Sequence, residues 1–370
     1  MPPDVAAVIS PVSEYQTMIE TPLSFAEAPA RGAVPPEPDA LSEMLRAVRL
    51  TGAVFLSARL TAPFGIVSPQ RYDERMPMAH LRHISVFHLV AEGDCVIETA
   101  SGAKRQVEAG DLVLLPFANQ HRFYKGTAPD MVFDPSLIRQ GPIEGVWTVD
   151  YGGGGQATRL VCGFLESAEL FTPVFRSLPE MLVEHAGAGT VGGQLASTVG
   201  EIAYLVEAAM PGTQAMLGRM MELLFVEVLR RHASRLPAGS KGLLAALGDP
   251  IVGRALQLLH ADPARRWTAD VLAREAGSSR TVLGERFNGL LGRPPIDYLT
   301  AWRMQVAADR LRHGRDGIAR IAADIGYESE PAFARAFKRV TGMTPGRWRD
   351  GGGDSRELMP LQFKEPIPAV

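Results

Sequence analysis

The stretch that decides the fold of this chain is a short pattern that occurs twice in its second half. Residues 272–277 read Leu-Ala-Arg-Glu-Ala-Gly, and residues 321–326 read Ile-Ala-Ala-Asp-Ile-Gly. Glycine is the residue that most often ends a helix in the left-handed conformation. A serine then follows in each copy, Ser279 or Ser329, and serine suits the first cap of the next helix. The pattern therefore predicts two helix-turn-helix units, of which the second has one extra residue in its turn.

In each predicted unit, an apolar pair four residues apart holds the second helix against the first. The predicted core positions are Leu272, Ala273, Gly277, Leu283 and Phe287 in the first unit, and Ile321, Ala322, Gly326, Phe333 and Phe337 in the second. The outward positions of each second helix are then free to enter a DNA major groove. A plain helical bundle shares parts of this pattern, but two copies joined by a long helix favour DNA binding.

The charge distribution points to the same half of the molecule. The 370 residues carry a net charge of −3, but residues 1–240 hold 18 basic against 26 acidic side chains, and residues 241–350 hold 18 against 12. An acidic first half joined to a basic second half indicates that only the second half meets a polyanion. A solvated basic face would give the same count.

Residues 250–349 resemble the DNA-binding domain of AraC/XylS-type transcriptional regulators. The stretches that carry the resemblance include Trp267-Thr268, Gly292-x-x-Pro295, Trp302-Arg303-Met304, Gly326-Tyr327 and Gly342-x-x-Pro345. The resemblance implies two helix-turn-helix units on a rigid connecting helix, which read two successive major-groove segments on one face of double-stranded DNA. It also implies RNA polymerase as a partner.

The positions on the two reading helices assign a role to each polar side chain. Thr281 and Glu285 are expected to read bases; Glu285 could accept from cytosine N4, or could equally repel phosphate. Arg335 is the best candidate for a bidentate guanine contact. The remaining predicted DNA contacts are Arg280, Arg286, Arg303, Glu330, Lys338 and Arg339. We expect Arg280, Arg286, Lys338 and Arg339 to meet phosphates. For each arginine alone, the alternative is a solvated surface charge.

The first half of the chain has the sequence pattern of a β-barrel. Short β-type runs separated by turn signals extend from about residue 51 to 165, which predicts a sandwich or barrel. Gly110 to His121 resembles the second cupin motif, with Ala118 where glycine is usual. The predicted fold is α+β in two domains: an N-terminal cupin-like β-barrel with flanking helices, and a C-terminal all-α domain with two helix-turn-helix motifs.

An apolar helical stripe follows the predicted barrel. Leu217, Met221, Leu224 and Val228 keep the spacing of one helix face. A stripe this wide must be buried, either against the barrel or in a homodimer interface, and both can hold at once.

Many cupins bind a metal through histidines and a glutamate, and this sequence keeps the pattern only in part. Val86 stands where the motif's glutamate is expected, and Arg82 occupies one of the usual histidine positions. His83 and His88 are five residues apart, so in a continuous strand they point to opposite faces. At most His80, or His83 with a register shift, could therefore join His121 in holding a divalent metal. The alternatives are a pocket for a small-molecule effector or histidines satisfied by ordinary hydrogen bonds, so no cofactor is required.

The two cysteines, Cys95 and Cys162, both lie in predicted strands. Buried structural thiols are the default interpretation, and a redox-sensing pair is the alternative. Two cysteines by themselves cannot form a disulfide framework or a four-cysteine zinc site.

The predicted domain limits follow from these segments. They are a disordered Pro-rich tail at 1–40, a cupin-like effector-binding or dimerisation domain at 41–235, a linker at 236–248, the DNA-binding domain at 249–350 and a flexible tail at 351–370. No apolar run is long enough to span a membrane, and the first residues lack the pattern of a signal peptide. We therefore expect a cytoplasmic protein that does not meet a membrane.

The favoured interpretation is a sequence-specific regulator of transcription that is controlled by a signal sensed in the cupin domain. Two other classes remain open from the sequence. One is a metal-dependent cupin enzyme with a helical appendage, and the other is a helical adaptor that has lost DNA binding. The transition-metal content of the purified protein would distinguish the enzyme interpretation from the regulator interpretation.

Overall fold

The computed structural model describes residues 41–42, 50–68, 84–127, 131–132, 137–167, 172–175, 177–185 and 190–351. The tails predicted at 1–40 and 351–370 lie outside these ranges, apart from Gly351. The candidate ligands His80 and His83 also lie outside them.

The first half of the described chain is built from two sheets. Its strands are β1 (Leu50–Thr61), β2 (Phe64–Val67), β3 (Ile84–Glu92), β4 (Asp94–Thr99), β5 (Lys104–Glu108), β6 (Leu112–Leu115), β7 (His121–Lys125), β8 (Met131–Val132), β9 (Ile138–Gln140), β10 (Trp147–Gly152), β11 (Ala157–Ser167) and β12 (Leu182–Glu184). One sheet has the order β12-β6-β3-β11-β1-β10-β9, and the other has the order β5-β4-β7-β2-β8. Most neighbours are antiparallel, while β1 and β10 pair in parallel, as do β2 and β8. This arrangement confirms the predicted cupin-like barrel.

The strand β3, which lies inside the seven-stranded sheet, is buried on both of its faces. Val86 and Val90 point into the core between the two sheets. Phe87 and Leu89 alternate with them and belong to the core beneath the helices. Successive side chains of a strand face opposite sides, so a strand buried on both sides reads as a continuous apolar run.

The helices follow the barrel in sequence. They are α1 (Thr172–Phe175), α2 (Thr190–Ala208), α3 (Thr213–Ser234), α4 (Leu243–Gly248), α5 (Pro250–Ala261), α6 (Ala269–Glu275), α7 (Arg280–Leu291), α8 (Pro295–His313), α9 (Ile318–Asp324), α10 (Glu330–Thr341) and α11 (Pro345–Arg349). The helices α2 and α3 cover the outer face of the seven-stranded sheet, and the helices from α5 onward form the predicted all-α half.

The stripe predicted on α3 packs against the barrel. Met221 and Val228 are fully buried in the core that contains Phe87 of β3. The approach to β1 is close, because a Cβ on Gly218 would lie 2.7 Å from the carbonyl oxygen of Gly52. Only residues without a side chain allow the helix and the strand to come this near.

The segment predicted as a linker, 236–248, contains a helix. Its second half forms α4, in which Leu243 and Leu244 are buried in the same core as α3. The backbone N–H of Gly242 donates to the carbonyl of Leu290 in α7 at 2.9 Å. The limits of the linker stay a prediction, but α4 connects the barrel's helices to the first helix-turn-helix by packing.

The two helix-turn-helix units have the predicted local geometry. Gly277 and Gly326 have φ values of +68° and +85°, in the left-handed region that favours glycine. Ser279 accepts a hydrogen bond from the N–H of Val282 at 3.3 Å, and Ser329 accepts one from Ala332 at 3.4 Å. The helices α6 and α7 form the first unit, α9 and α10 form the second, and α8 joins them.

The two units lie in different apolar cores. Leu283 and Phe287 of the first unit share one core with the helices that cover the barrel. Phe333 and Phe337 of the second unit pack in a separate core around Trp348.

The end of the first core is marked by an aromatic stack. The buried ring of His260 in α5 stacks on Trp302 of α8 with a centroid separation of 4.2 Å. Its Nε2 lies 2.8 Å from the hydroxyl of Tyr298. Burial lowers the pKa of His260 to about 3, so this ring is neutral in the folded protein.

Candidate functional site

The first reading helix, α7, exposes the polar face that the sequence predicts and one apolar residue that it does not. Leu283, Phe287 and Leu291 are buried, which leaves Arg280, Thr281 and Glu285 exposed. Val282 is also exposed, at 41% of its surface. An exposed branched side chain on a reading helix is suited to contact a thymine methyl group. The sequence signal for the exposure of Val282 is its position directly before the core residue Leu283, since adjacent helix residues point in different directions.

Two of the predicted phosphate contacts on α7 already have acidic partners. Arg286 lies 3.0 Å from Asp249, whose carboxylate also accepts hydrogen bonds from the first turn of α5. Arg280 lies 3.4 Å from Asp270 in α6. Both pairs are partly or largely exposed, so their free energies are small. DNA would have to compete with these carboxylates for the two arginines.

The second reading helix, α10, exposes the polar face that the sequence predicts. Glu330, Arg335, Lys338 and Arg339 are exposed, while Phe333 and Phe337 face the core. Within the described residues, Arg335 and Lys338 have neither an ion pair nor a side-chain hydrogen bond. Arg335 is therefore free to make a bidentate contact without first losing a partner.

Arg303 of α8 lies in a different setting from the other predicted DNA contacts. Its guanidinium donates to the carbonyl oxygens of Pro263 at 2.6 Å and Arg265 at 2.9 Å. These contacts tie the loop after α5 to the connecting helix. The assignment of Arg303 to DNA stays a prediction, whereas the described geometry gives this side chain a role in holding the two elements together.

Inside the barrel, the structure brings two histidines together in a cavity. The cavity has a volume of about 60 Å³ and is partly open to solvent. Its lining is almost wholly apolar, and His88 and His121 are its two imidazoles. Their ring centroids are 4.7 Å apart.

The histidine beside His121 is therefore His88, which the sequence pattern discounted. The sequence placed His83 and His88 on opposite faces and favoured His80 or His83 as the partner of His121. In the structure, His88 shares the inward face of β3 with Val86 and Val90. The sequence pattern of β3 could not have shown this, because both faces of the strand are buried and its apolar run does not alternate.

Each imidazole has a defined hydrogen bond on Nδ1. His121 Nδ1 lies 2.8 Å from the carbonyl oxygen of Asn119, so this nitrogen carries the proton and Nε2 carries the lone pair. His88 Nδ1 lies 3.0 Å from the sulfur of Cys162, and His88 Nε2 is buried without a partner. Burial lowers the pKa of His121 to about 4 and the pKa of His88 well below its usual value, so both rings are neutral.

Cys95 and Cys162 are both buried free thiols. Burial raises the pKa of each thiol to about 12. A thiol with this pKa is almost never ionised at neutral pH and is a poor nucleophile. Redox sensing by these two residues stays a prediction.

A metal centre is not formed by the described residues. Among them, no three side chains of the ligand-bearing types His, Cys, Asp and Glu come together in a way that could hold an ion. His80 and His83 fall outside the described ranges, so we derive no chemistry through a metal. The described helices also include none that is long and apolar enough to cross a membrane.

Comparison with known proteins agrees with both halves of the architecture. Residues 39–234 match the family model described as Cupin, and residues 272–351 match the model described as Helix-turn-helix domain. The chain is similar to a putative AraC-like transcription regulator of Streptomyces lividans, with 49% identity over 127 residues. That match covers 34% of this chain and 42% of the relative, so the chain spans less than half the length of that relative.

Two further relatives match over more of their length. The transcriptional regulator AlkR of Acinetobacter baylyi is 28% identical over 275 residues, which is 71% of this chain and 87% of that protein. The transcriptional regulator MtrA of Neisseria gonorrhoeae is 24% identical over 325 residues, which is 85% of this chain and 99% of that protein. The chain belongs to the AraC/XylS-type family of regulators that carry an N-terminal cupin domain.

Proposed function

We propose that this protein binds promoter DNA through α7 and α10 and regulates transcription from it, rather than catalysing a reaction. The observation that carries the proposal is the repeated reading helix. In both copies a serine caps the helix, two apolar residues anchor it, and polar or basic side chains face outward. Double-stranded DNA is the partner of these faces, RNA polymerase is the partner of the bound protein, and the cytoplasm is where both are met.

We further propose that the barrel cavity receives a small-molecule effector that alters DNA binding. The cavity lies beneath β3, whose other face packs in the core that extends through α3 and α4 to α7. An effector can shift DNA affinity only if it binds two arrangements of this core with different affinities. The shared core supplies the physical connection that such a shift requires.

A homodimer is part of the same proposal. Tyr204 on α2, together with Met216 and Leu223 on α3, exposes between 50% and 67% of its surface. Met216 and Leu223 are seven residues apart and share one face of the helix. Exposed apolar side chains on these two helices are suited to a second copy of the chain.

The experiment that tests DNA binding uses the full chain and the DNA upstream of its own gene. Fluorescence anisotropy over a salt series would compare this DNA with a scrambled duplex. We expect an affinity for the upstream DNA about a thousandfold or more above that for scrambled DNA. Weak, equal binding to both duplexes with a steep salt dependence would show a basic surface only and contradict the proposal. Light scattering on the same sample would test the dimer.

A further inference from the structure

The barrel cavity restricts what kind of molecule can occupy it. Phe55, Leu60, Ile66, Phe123 and Leu160 are among the side chains that line it, and none of its lining residues in the described chain is Lys, Arg, Asp or Glu. An ion enters such a site only with a compensating charge. An occupant of this cavity must therefore be neutral and mostly apolar.

One polar atom of the cavity is left unsatisfied. His88 is 95% buried, and its Nε2 has no hydrogen-bond partner within the described structure. A buried polar atom without a partner is unfavourable, and a ligand that supplies the partner gains affinity. The neighbouring ring of His121 offers the lone pair of its Nε2, because its Nδ1 donates to Asn119.

The hydrogen bond between His88 and Cys162 decides what the ligand can offer. If the thiol donates to His88 Nδ1, then His88 Nε2 carries a proton and needs an acceptor. If His88 Nδ1 donates to the sulfur, then Nε2 carries a lone pair and needs a donor. A hydroxyl group satisfies either tautomer, and it can also donate to His121 while it accepts from His88.

We propose that the effector of this protein is a small, neutral, largely apolar alcohol or phenol, whose hydroxyl binds His88 Nε2 inside the barrel. The apolar body lies against the aliphatic and aromatic walls, and the hydroxyl lies beside the two imidazoles. Ser68 also lines the cavity, but its hydroxyl oxygen already accepts a hydrogen bond from the backbone N–H of His121 at 2.9 Å. This inference rests on the proposed effector role of the cavity, because it names the class of molecule that fills it.

The test measures binding to the full-length protein by isothermal titration calorimetry, with three probes of similar shape. They are 1-butanol, 1-chlorobutane and butyrate, which differ in having a hydroxyl, no strong hydrogen-bonding group, or a charge. A wholly apolar cavity would prefer 1-chlorobutane. We expect 1-butanol to bind about tenfold more tightly than 1-chlorobutane, and butyrate not to bind measurably. Phenol, toluene and benzoate repeat the comparison with a wider body.

Variants of His88 and Ala58 locate the preference. His88→Phe keeps a ring of similar size without a nitrogen, so it should reverse the preference for the alcohol. His88→Gln restores a side-chain hydrogen-bonding group and should recover part of that preference. Ala58 also lines the cavity. Ala58→Leu should fill the space and abolish binding of both neutral probes, which confirms where they bind.

The outcomes separate this inference from the proposed function. Equal or weaker binding of the alcohol and the phenol relative to their apolar analogues overturns the inference, and so does the absence of binding by any probe. If the alcohol binds through His88 but DNA affinity measured by anisotropy does not change, the ligand class stands and the effector role fails.

Discussion

Arg335 is expected to contribute more to specific DNA binding than any other arginine of the two reading helices. It is exposed on α10 and has no partner in the described structure, so no protein interaction must break when it meets a base. A bidentate arginine–guanine contact contributes about 1–3 kcal/mol of discrimination. Arg335→Ala should therefore weaken binding to the cognate site about 5-fold to 150-fold, and weaken binding to scrambled DNA much less.

Arg286 of α7 is the matched control for Arg335. Because Arg286 is already ion-paired, we expect its removal to cost less DNA affinity. Its pair with Asp249 is separated by 3.0 Å, and 47% of the arginine side chain is exposed. An exposed pair of this kind contributes about 0.2–1 kcal/mol, which a phosphate contact must first replace. Arg286→Ala should thus reduce affinity for cognate and scrambled DNA alike. It should also reduce the steepness of log affinity against log salt concentration, here called the salt slope, by about one.

Substitution of Arg303 is expected to change the stability of the fold and not the electrostatics of DNA binding. Its guanidinium donates to main-chain carbonyls of the loop after α5. Arg303→Ala should lower the melting temperature, because the half-buried guanidinium no longer joins the loop to α8 through its hydrogen bonds. The salt slope of DNA binding should not change.

One assay ranks the three variants. Fluorescence anisotropy over a salt series, on cognate and scrambled duplexes, gives affinity, specificity and slope, and thermal melting checks each fold. The reasoning would be refuted if Arg335→Ala weakened binding to both duplexes equally, or if Arg286→Ala removed specificity while Arg335→Ala did not.

Three further predictions test other parts of the structure. Gly218→Ala should destabilise the protein by about 1–3 kcal/mol, because its new Cβ would lie 2.7 Å from the Gly52 oxygen. The control is Gly200→Ala on α2, whose Cβ meets no atom within 4 Å and which should stabilise the protein by up to about 1 kcal/mol. Equal effects of the two substitutions in denaturant titrations would mean that α3 does not pack on β1 this closely. His260, with a folded pKa of about 3, is neutral in the fold but gains a proton on unfolding below pH 6.5, so stability should fall by about 2 kcal/mol per such histidine between pH 7 and 5. The pH slope should be shallower in His260→Gln, and an unchanged slope would mean that His260 can protonate in place. Val282→Ser should weaken binding about fourfold where the site holds a thymine beneath it; replacing that thymine with deoxyuridine should cost the native protein the same factor and cost the variant nothing.

The sequence predicted the helix-turn-helix units well because the signals that form them are local. A glycine that requires positive φ, a serine cap and an apolar pair four residues apart all act within about fifteen residues. Gly277 and Ser279 therefore identify their turn without any knowledge of the rest of the fold.

The parts that sequence reasoning missed depend on contacts between distant residues. Arg286 meets Asp249 from 37 positions away, and Arg303 reaches a loop about 40 positions before it. No period in the sequence reports such pairs. The helix α4 is only six residues long, too short for its periodicity to stand out beside the Pro-Ala-Gly-Ser run that precedes it.

His88 illustrates a different limit. The predicted histidine pairing rested on the spacing within one motif, whereas the neighbour of His121 depends on which face of β3 turns inward. That face is fixed by the whole barrel, since both faces of β3 are buried and hydrophobicity alone does not distinguish them.

The shared core determines where this protein can be joined to a different DNA-binding domain in a chimera. A junction at residue 249 would separate α4 from α7 and leave Leu243 and Leu244 facing a foreign surface. A chimera that keeps the native sequence through Arg303, which retains the part of α8 that packs in the first core, and exchanges only the second unit with its own core, disturbs far less native packing. The transplantable module of this protein is therefore half of its DNA-binding domain, and not the whole of it.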